Sequence, residues 1–292
     1  MLARVRDLGA PARLAAFALG LALVGAVAAL AGAATGHGRV STAGSHGSEM
    51  AMGQLGLAEQ SRASGLASVA GGYALVPTQT TLPLARSSDF RFRIVDGQGR
   101  AVRDFDVDGG VRVHLIIVRR DLMGYQHLHP RQLDDGAWSV PLTLAAPGAY
   151  RAFTDFEIDG AKTVLGHDLF VAGAFAPAAL PAESAVTETD GFRVKLTHGK
   201  LRAEGESSLH FAVSRNGRPV PRFDPYVGHR GHLVALRDGD LSYSHVHPEP
   251  GAKVGEIVFH SSLPSAGRYR LFLQFKLAGV VHTAPFTVEA GR

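Results

Sequence analysis

From Tyr73 onward the chain reads as short apolar runs separated by clusters of Gly, Pro, Asn and Asp, the pattern of β-strands bounded by turns. Phe90-Arg91-Phe92-Arg93-Ile94-Val95 places every second side chain on one face, and Trp138, Val140, Leu142 and Leu144 do the same. Pro147-Gly148-Ala149-Tyr150-Arg151 leads into an aromatic strand, and a closing strand is expected near 165–171. The series then repeats at 209–213, at Ile257 and Phe259, at Ala266-Gly267-Arg268-Tyr269-Arg270 and at 280–288. About seven strands in about 100 residues predicts an immunoglobulin-like β-sandwich. The chain is therefore expected to be all-β, with two tandem sandwiches at 73–173 and 187–292. The Pro- and Ala-rich stretch 174–186 would join them as a short, semi-stiff spacer.

The repeat is visible residue by residue. His-x12-His-x-His-Pro occurs twice, as His114, His127, His129, Pro130 and as His232, His245, His247, Pro248. Residues 95–130 align with 213–248 without a gap, and fifteen of the thirty-six pairs are identical. The second half is thus a copy of the first, and six of fourteen histidines sit at matching places.

Local geometry converts this spacing into chemistry. Asp238-Gly239 suits a two-residue type I′ hairpin loop, in which both positions take positive φ. That loop sets His232 directly opposite His245, with Cβ atoms about 5 Å apart, and side-chain alternation sets His247 on the same face. The first copy would turn at Arg120-Asp121 and pair His114 with His127; a three-residue loop there would put them on opposite faces. Three converging neutral imidazoles are a ligand set for Zn(II) or Cu(II), at about 2.0–2.1 Å from zinc. His282 and His167, on the closing strands, are candidates for a fourth ligand, and His229 is a further candidate in the second unit. A plainer reading stays open. His232, Val234, Leu236 and Tyr243 share a face, so the histidines also suit packing and hydrogen bonding at the rim of a core.

Composition narrows the options. Cysteine is absent, which removes disulfides, thiolate sites and blue-copper ligation. A net charge of +4 with scattered arginines and no basic, aromatic-laced stripe argues against nucleic acid. No nucleophile elbow or phosphate loop appears, and no enzymatic activity is expected. Asp104, Asp106 and Asp108 resemble a calcium run but lack the downstream glutamate of a calcium loop, and the recurrence of Asp106 as Asp224 points to a turn role. Tyr150 and Tyr269 are expected to anchor a sandwich corner, and His198, His210 and His260 to face solvent.

At the N-terminus, Arg4, Arg6 and Arg13 precede an uncharged run over 14–34. As a helix these 21 residues span about 31 Å, close to the thickness of bilayer hydrocarbon. The preceding positive charge predicts an exported body. Ala31-Gly32-Ala33 also has the small-x-small form of a signal-peptidase site. Residues 1–34 are therefore either a signal peptide or a transmembrane anchor, and either places the remainder outside the cytoplasm. Residues 35–72, with nine glycines, read as a flexible tether. His37, His46, Met50 and Met52 within it are soft or borderline metal ligands that also occur incidentally in linkers.

The segments 226–234, His245-Val246-His247-Pro248 and Val281-His282-Thr283-Ala284-Pro285-Phe286 resemble bacterial exported Ig-like domains grouped with FixH/YtkA-like proteins. The stretches 114–122 and His127-Leu128-His129-Pro130 resemble the same domain, and the resemblance covers roughly 73–290. It implies a β-sandwich fold, export and an association with heavy metals, copper in particular. The expectation is an exported, membrane-anchored protein that buffers a copper or zinc ion or passes it to a membrane protein partner. The alternative is an extracytoplasmic structural or interaction module whose histidines are packing residues.

Overall fold

The computed structural model describes residues 64–249 and 253–292. The first sandwich contains β1 (Val69–Ala70), β2 (Tyr73–Pro77), β3 (Thr81–Leu82), β4 (Ser88–Val95), β5 (Val113–Arg119), β6 (Gln126–Leu128), β7 (Arg131–Gln132), β8 (Trp138–Leu142), β9 (Gly148–Ile158) and β10 (Ala161–Val171). These form two five-stranded layers, β1-β2-β4-β8-β7 and β3-β10-β9-β5-β6. The second sandwich contains β11 (Val186–Thr189), β12 (Phe192–His198), β13 (Glu206–Arg215), β14 (Arg218–Pro219), β15 (Gly231–Arg237), β16 (Tyr243–Pro248), β17 (Glu256–Ser262), β18 (Gly267–Leu277) and β19 (Val280–Ala290). Its order is β11-β12-β13-β17-β16-β15-β18-β19, with β14 on β13.

One strand per sandwich changes layers. β16 pairs with β15 through Tyr243, Ser244 and His245, then with β17 through Val246, His247 and Pro248. In the first copy the same crossing is split into β6 on β5 and β7 on β8, with His129 and Pro130 between them. The crossing carries the His-x-His-Pro segment from a strand of one layer to a strand of the other in each copy.

Alternation explains each core. In β4, Phe90, Phe92 and Ile94 are buried while the residues between them are exposed; in β13, Leu209, Phe211 and Val213 behave alike. Tyr150 donates to the Ala146 carbonyl at 2.8 Å and Tyr269 to the Ser265 carbonyl at 2.9 Å, the corner expected of this fold. Asp106 and Asp224 accept from the amides of Gly160 and Gly279, so both are turn residues. His198, His210 and His260 are exposed.

β5 and β15 depart from alternation. Val113 to Val118 are buried without exception, as are Leu233 to Leu236, which means both faces of these strands are covered. A third apolar cluster does the covering. Ile116, Val118, Leu122, Phe153 and Val164 of the first sandwich pack with Val234, Leu236, Leu241, Tyr243 and Phe272 of the second. Tyr125 stacks on Phe272 at 4.0 Å between ring centroids, and Tyr243 meets Phe153 at 5.7 Å. Tyr125 aligns with Tyr243 and Phe153 with Phe272, so the repeats meet through matching patches, as two subunits of a symmetric dimer do. Both sandwiches lie within one compact unit of the chain.

Two local expectations are corrected. No type I′ hairpin forms at Asp238-Gly239. The loop spans 238–241, closed by Leu241 N–H to the Arg237 carbonyl at 3.0 Å, with positive φ at Gly239 and Leu241 only. Asp240 sets its length by accepting from Arg237 and from the Ser242 amide, and Leu241 turns inward into the interface. Asp121 with Arg119, and Leu122 at φ 63°, do the same in the first copy. The first sandwich also reaches into the stretch expected to be a tether. β1 pairs with β2, and the Gly65 carbonyl accepts from the Arg151 guanidinium at 2.8 Å. Among the described residues no helix is long and apolar enough to cross a membrane. The proposed anchor, residues 1–34, and His37, His46, Met50 and Met52 lie outside them.

Candidate metal centre

His114 projects from β5, His127 from β6, and His129 lies just beyond β6. The longer turn shifts the predicted register by two residues, so His127 stands opposite Ile116 instead of His114. Two residues is one full period of side-chain alternation, and the face is preserved. His114, His127 and His129 converge, each offering one ring nitrogen, and these nitrogens all lie within 4.8 Å of one another. His114 Nδ1 is 2.8 Å and His129 Nε2 3.3 Å from His127 Nε2. Nitrogens bound to a tetrahedral ion at about 2.0–2.1 Å are roughly 3.3 Å apart, so small ring movements fit the three to one ion.

The neighbouring sandwich sets the chemistry of the middle ring. Gln274 donates through its Nε2 to Thr283 Oγ1 at 3.2 Å, which turns its Oε1 toward His127 Nδ1 at 2.7 Å. Tyr226 Oη also donates to that oxygen, at 3.4 Å. An amide oxygen only accepts, so His127 carries its proton on Nδ1 and presents a lone pair at Nε2, the atom facing His114 and His129. Metal-binding histidines are commonly held through the other ring nitrogen in this way. Burial, with the neighbouring imidazoles, lowers His127 to about 3 and His129 to about 4. Both rings are therefore neutral, the form that ligates metal.

Asp155 stands opposite His114 on β9, as Gln274 stands opposite His232 on β18. These are matching positions in the two copies. Tyr243 of the second sandwich donates to Asp155 at 2.8 Å, and desolvation holds the Tyr243 phenol far above its usual range. Each copy thus places an oxygen acceptor beside the first histidine of its motif, and each acceptor engages the other copy. Gln274 and Asp155 carry no motif signal in the sequence, and their cue is a place across from a motif histidine. Tyr226 heads the segment 226–234 that carries the resemblance, with no role of its own legible there.

The remaining candidates divide. His232 lies against the first-copy cluster, its ring centroid 4.5 Å from His127 and 5.3 Å from His114. His229 lines a cavity of about 300 Å³ that also touches His114 and His232. The backbone of His245 pairs with Val234 and that of His247 with His260, while the side chains of both lie outside those described. Among the described residues neither His282 nor His167 joins the histidine cluster, and each has other partners. His282 binds Asp190 through Nδ1 at 2.8 Å and packs against Phe192 and Phe275. His167 pairs with Ala152 and contacts the Asp168 carbonyl at 3.0 Å. Both closing strands lie on the far side of the strand that faces the cluster.

A family model described as "Domain of unknown function (DUF8832)" matches residues 67–173 and again 187–292. No curated protein matches the chain. Solved structures similar to it include the Escherichia coli adhesin FdeC, 12% identical over 76% of this chain and 64% of that one, with a TM-score of 0.25. The Yersinia pseudotuberculosis adhesin InvE is 12% identical over 74% and 58%, with a TM-score of 0.23. A Salmonella alpha-2-macroglobulin is 12% identical over 78% and 15%, with a TM-score of 0.28. The chain spans less than two thirds of each of these three, and at such scores they add no argument to what the strand pairing shows.

Proposed function

We propose that this chain, which belongs to the family described as Domain of unknown function (DUF8832), is an exported protein that holds one copper or zinc ion in its His114, His127 and His129 cluster. The observation that carries the reading is the convergence of three ring nitrogens within 4.8 Å, with the proton of the central ring directed away from them. An uncharged segment behind three arginines supports export and an anchor at the membrane. The resemblance to exported heavy-metal-associated domains supports copper. A neutral three-imidazole set suits both Cu(II) and Zn(II). Neutral imidazoles that offer lone pairs to an ion suit buffering or delivery.

The test is metal analysis of the full-length protein after dialysis against Zn(II) or Cu(II). One ion per chain, lost in the His127→Ala/His129→Ala variant, supports the reading. No retained ion contradicts it. A second reading treats the rings as packing and hydrogen-bonding residues at the junction of the sandwiches. It rests on the 2.8 Å contact between His114 and His127, and it predicts no metal-dependent change of any kind.

A further inference from the structure

We propose that His232 is the fourth ligand, so that the metal centre is shared between the two sandwiches. This inference rests on the metal reading of the first-copy cluster and extends it to a residue of the second domain.

Four imidazoles around one tetrahedral ion bring their ring centroids to about 5 Å from one another. In the first copy the separations are 5.1 Å for His114 and His127, 5.3 Å for His114 and His129, and 4.7 Å for His127 and His129. His232 stands 5.3 Å from His114 and 4.5 Å from His127. It comes from β15, directly opposite Gln274 on β18, and Gln274 is the residue that orients His127. One strand pair of the second sandwich thus delivers both the acceptor that orients a ligand and the imidazole that meets it. The His232 ring lies within 15° of parallel to His114, so ligation requires a turn about its Cβ–Cγ bond, a broad and soft torsion.

Surroundings favour the same assignment. His282 and His167 are engaged elsewhere, and structural zinc sites are closed by four protein ligands. His232 and His114 both line the cavity of about 300 Å³, with Asp106, Asp108 and His229 also on its wall. His232 therefore stands where that cavity meets the cluster, the position through which an ion would arrive. A ligand from each sandwich links ion binding to their docking, because the ion prefers the docked state.

Zinc-edge X-ray absorption on the full-length protein loaded with Zn(II), with affinity from chelator competition, tests the assignment. Four imidazoles are expected in the wild type. His232→Ala is expected to show three imidazoles plus one light oxygen scatterer, with affinity at least tenfold weaker. His232→Gln retains a polar side chain of similar length and should give the same count, which keeps the test valid if the alanine variant does not fold. An unchanged count and affinity in either folded variant overturns the shared centre while leaving the three-histidine reading intact. Failure of the wild type to bind Zn(II) overturns both.

Discussion

Gln274, in the second sandwich, accepts a hydrogen bond from Nδ1 of His127 in the first at 2.7 Å. The bond crosses the domain junction and decides which nitrogen of a candidate ligand is free. Replacing the acceptor by Leu should leave His127 able to take the other tautomer. We predict a 10- to 100-fold loss of Zn(II) affinity in Gln274→Leu, the usual range for losing an outer-shell partner. Chelator competition measures it, and unchanged affinity would remove Gln274 from the account.

Acidity should destabilise the metal-free protein through the same rings. His127 titrates near 6.5 when unfolded and near 3 when folded, and His129 near 4 when folded. Both folded values are depressed, so the unfolded chain binds more protons as pH falls. The stability gained from keeping these rings neutral is present above about pH 6.5 and is lost progressively toward pH 3–4. Urea unfolding between pH 7.5 and 4.5 should show a steeper decline in the wild type than in His127→Ala/His129→Ala. Parallel curves would show that these rings are not buried neutral.

The two interface tyrosines should respond oppositely to loss of the hydroxyl. Tyr243 donates to the buried Asp155 carboxylate, and Tyr243→Phe should cost about 1.5–3 kcal/mol, as for hydrogen bonds to charged groups. Its counterpart Tyr125 has a buried hydroxyl with no hydrogen-bond partner among the described residues. Tyr125→Phe should be neutral or stabilising by up to about 1 kcal/mol. Chemical denaturation of both variants tests the asymmetry.

Most of the fold was legible because sandwich strands covered on one face alternate. Phe90, Phe92 and Ile94 announced their strand, and the matched tyrosines announced the corners. The junction between sandwiches was harder to read. Leu115-Ile116-Ile117-Val118 and Leu233-Val234-Ala235-Leu236 are continuous apolar runs, the mark of strands buried on both faces, but such a run does not say what covers it. The candidate site was legible in the same measure. The convergence of His114, His127 and His129 follows from spacing and survives the register shift, since a shift of two residues conserves the face. Asp-Gly favours a two-residue loop locally, but the Asp240 carboxylate, held by Arg237 and the Ser242 amide, and the burial of Leu241 between the sandwiches set a longer one. The proximity of His232 to the first-copy rings depends on domain docking, which no local pattern encodes.

That docking should be cooperative. Phe272 packs under Tyr125 in the shared apolar cluster, and Phe272→Ala should cost about 3–5 kcal/mol as a large-to-small core change. If the sandwiches melt together in the wild type, the variant should melt in two steps by calorimetry. A single transition at unchanged temperature would show that the cluster contributes little.

The most direct test of the metal centre is the melting point of the full-length protein with and without Zn(II) or Cu(II). An ion that binds only the native state adds about 2.7 kcal/mol at one hundred times Kd. The account predicts a clear rise in the wild type that disappears in His127→Ala/His129→Ala. A rise of the same size in that variant, or no rise in the wild type, would contradict it.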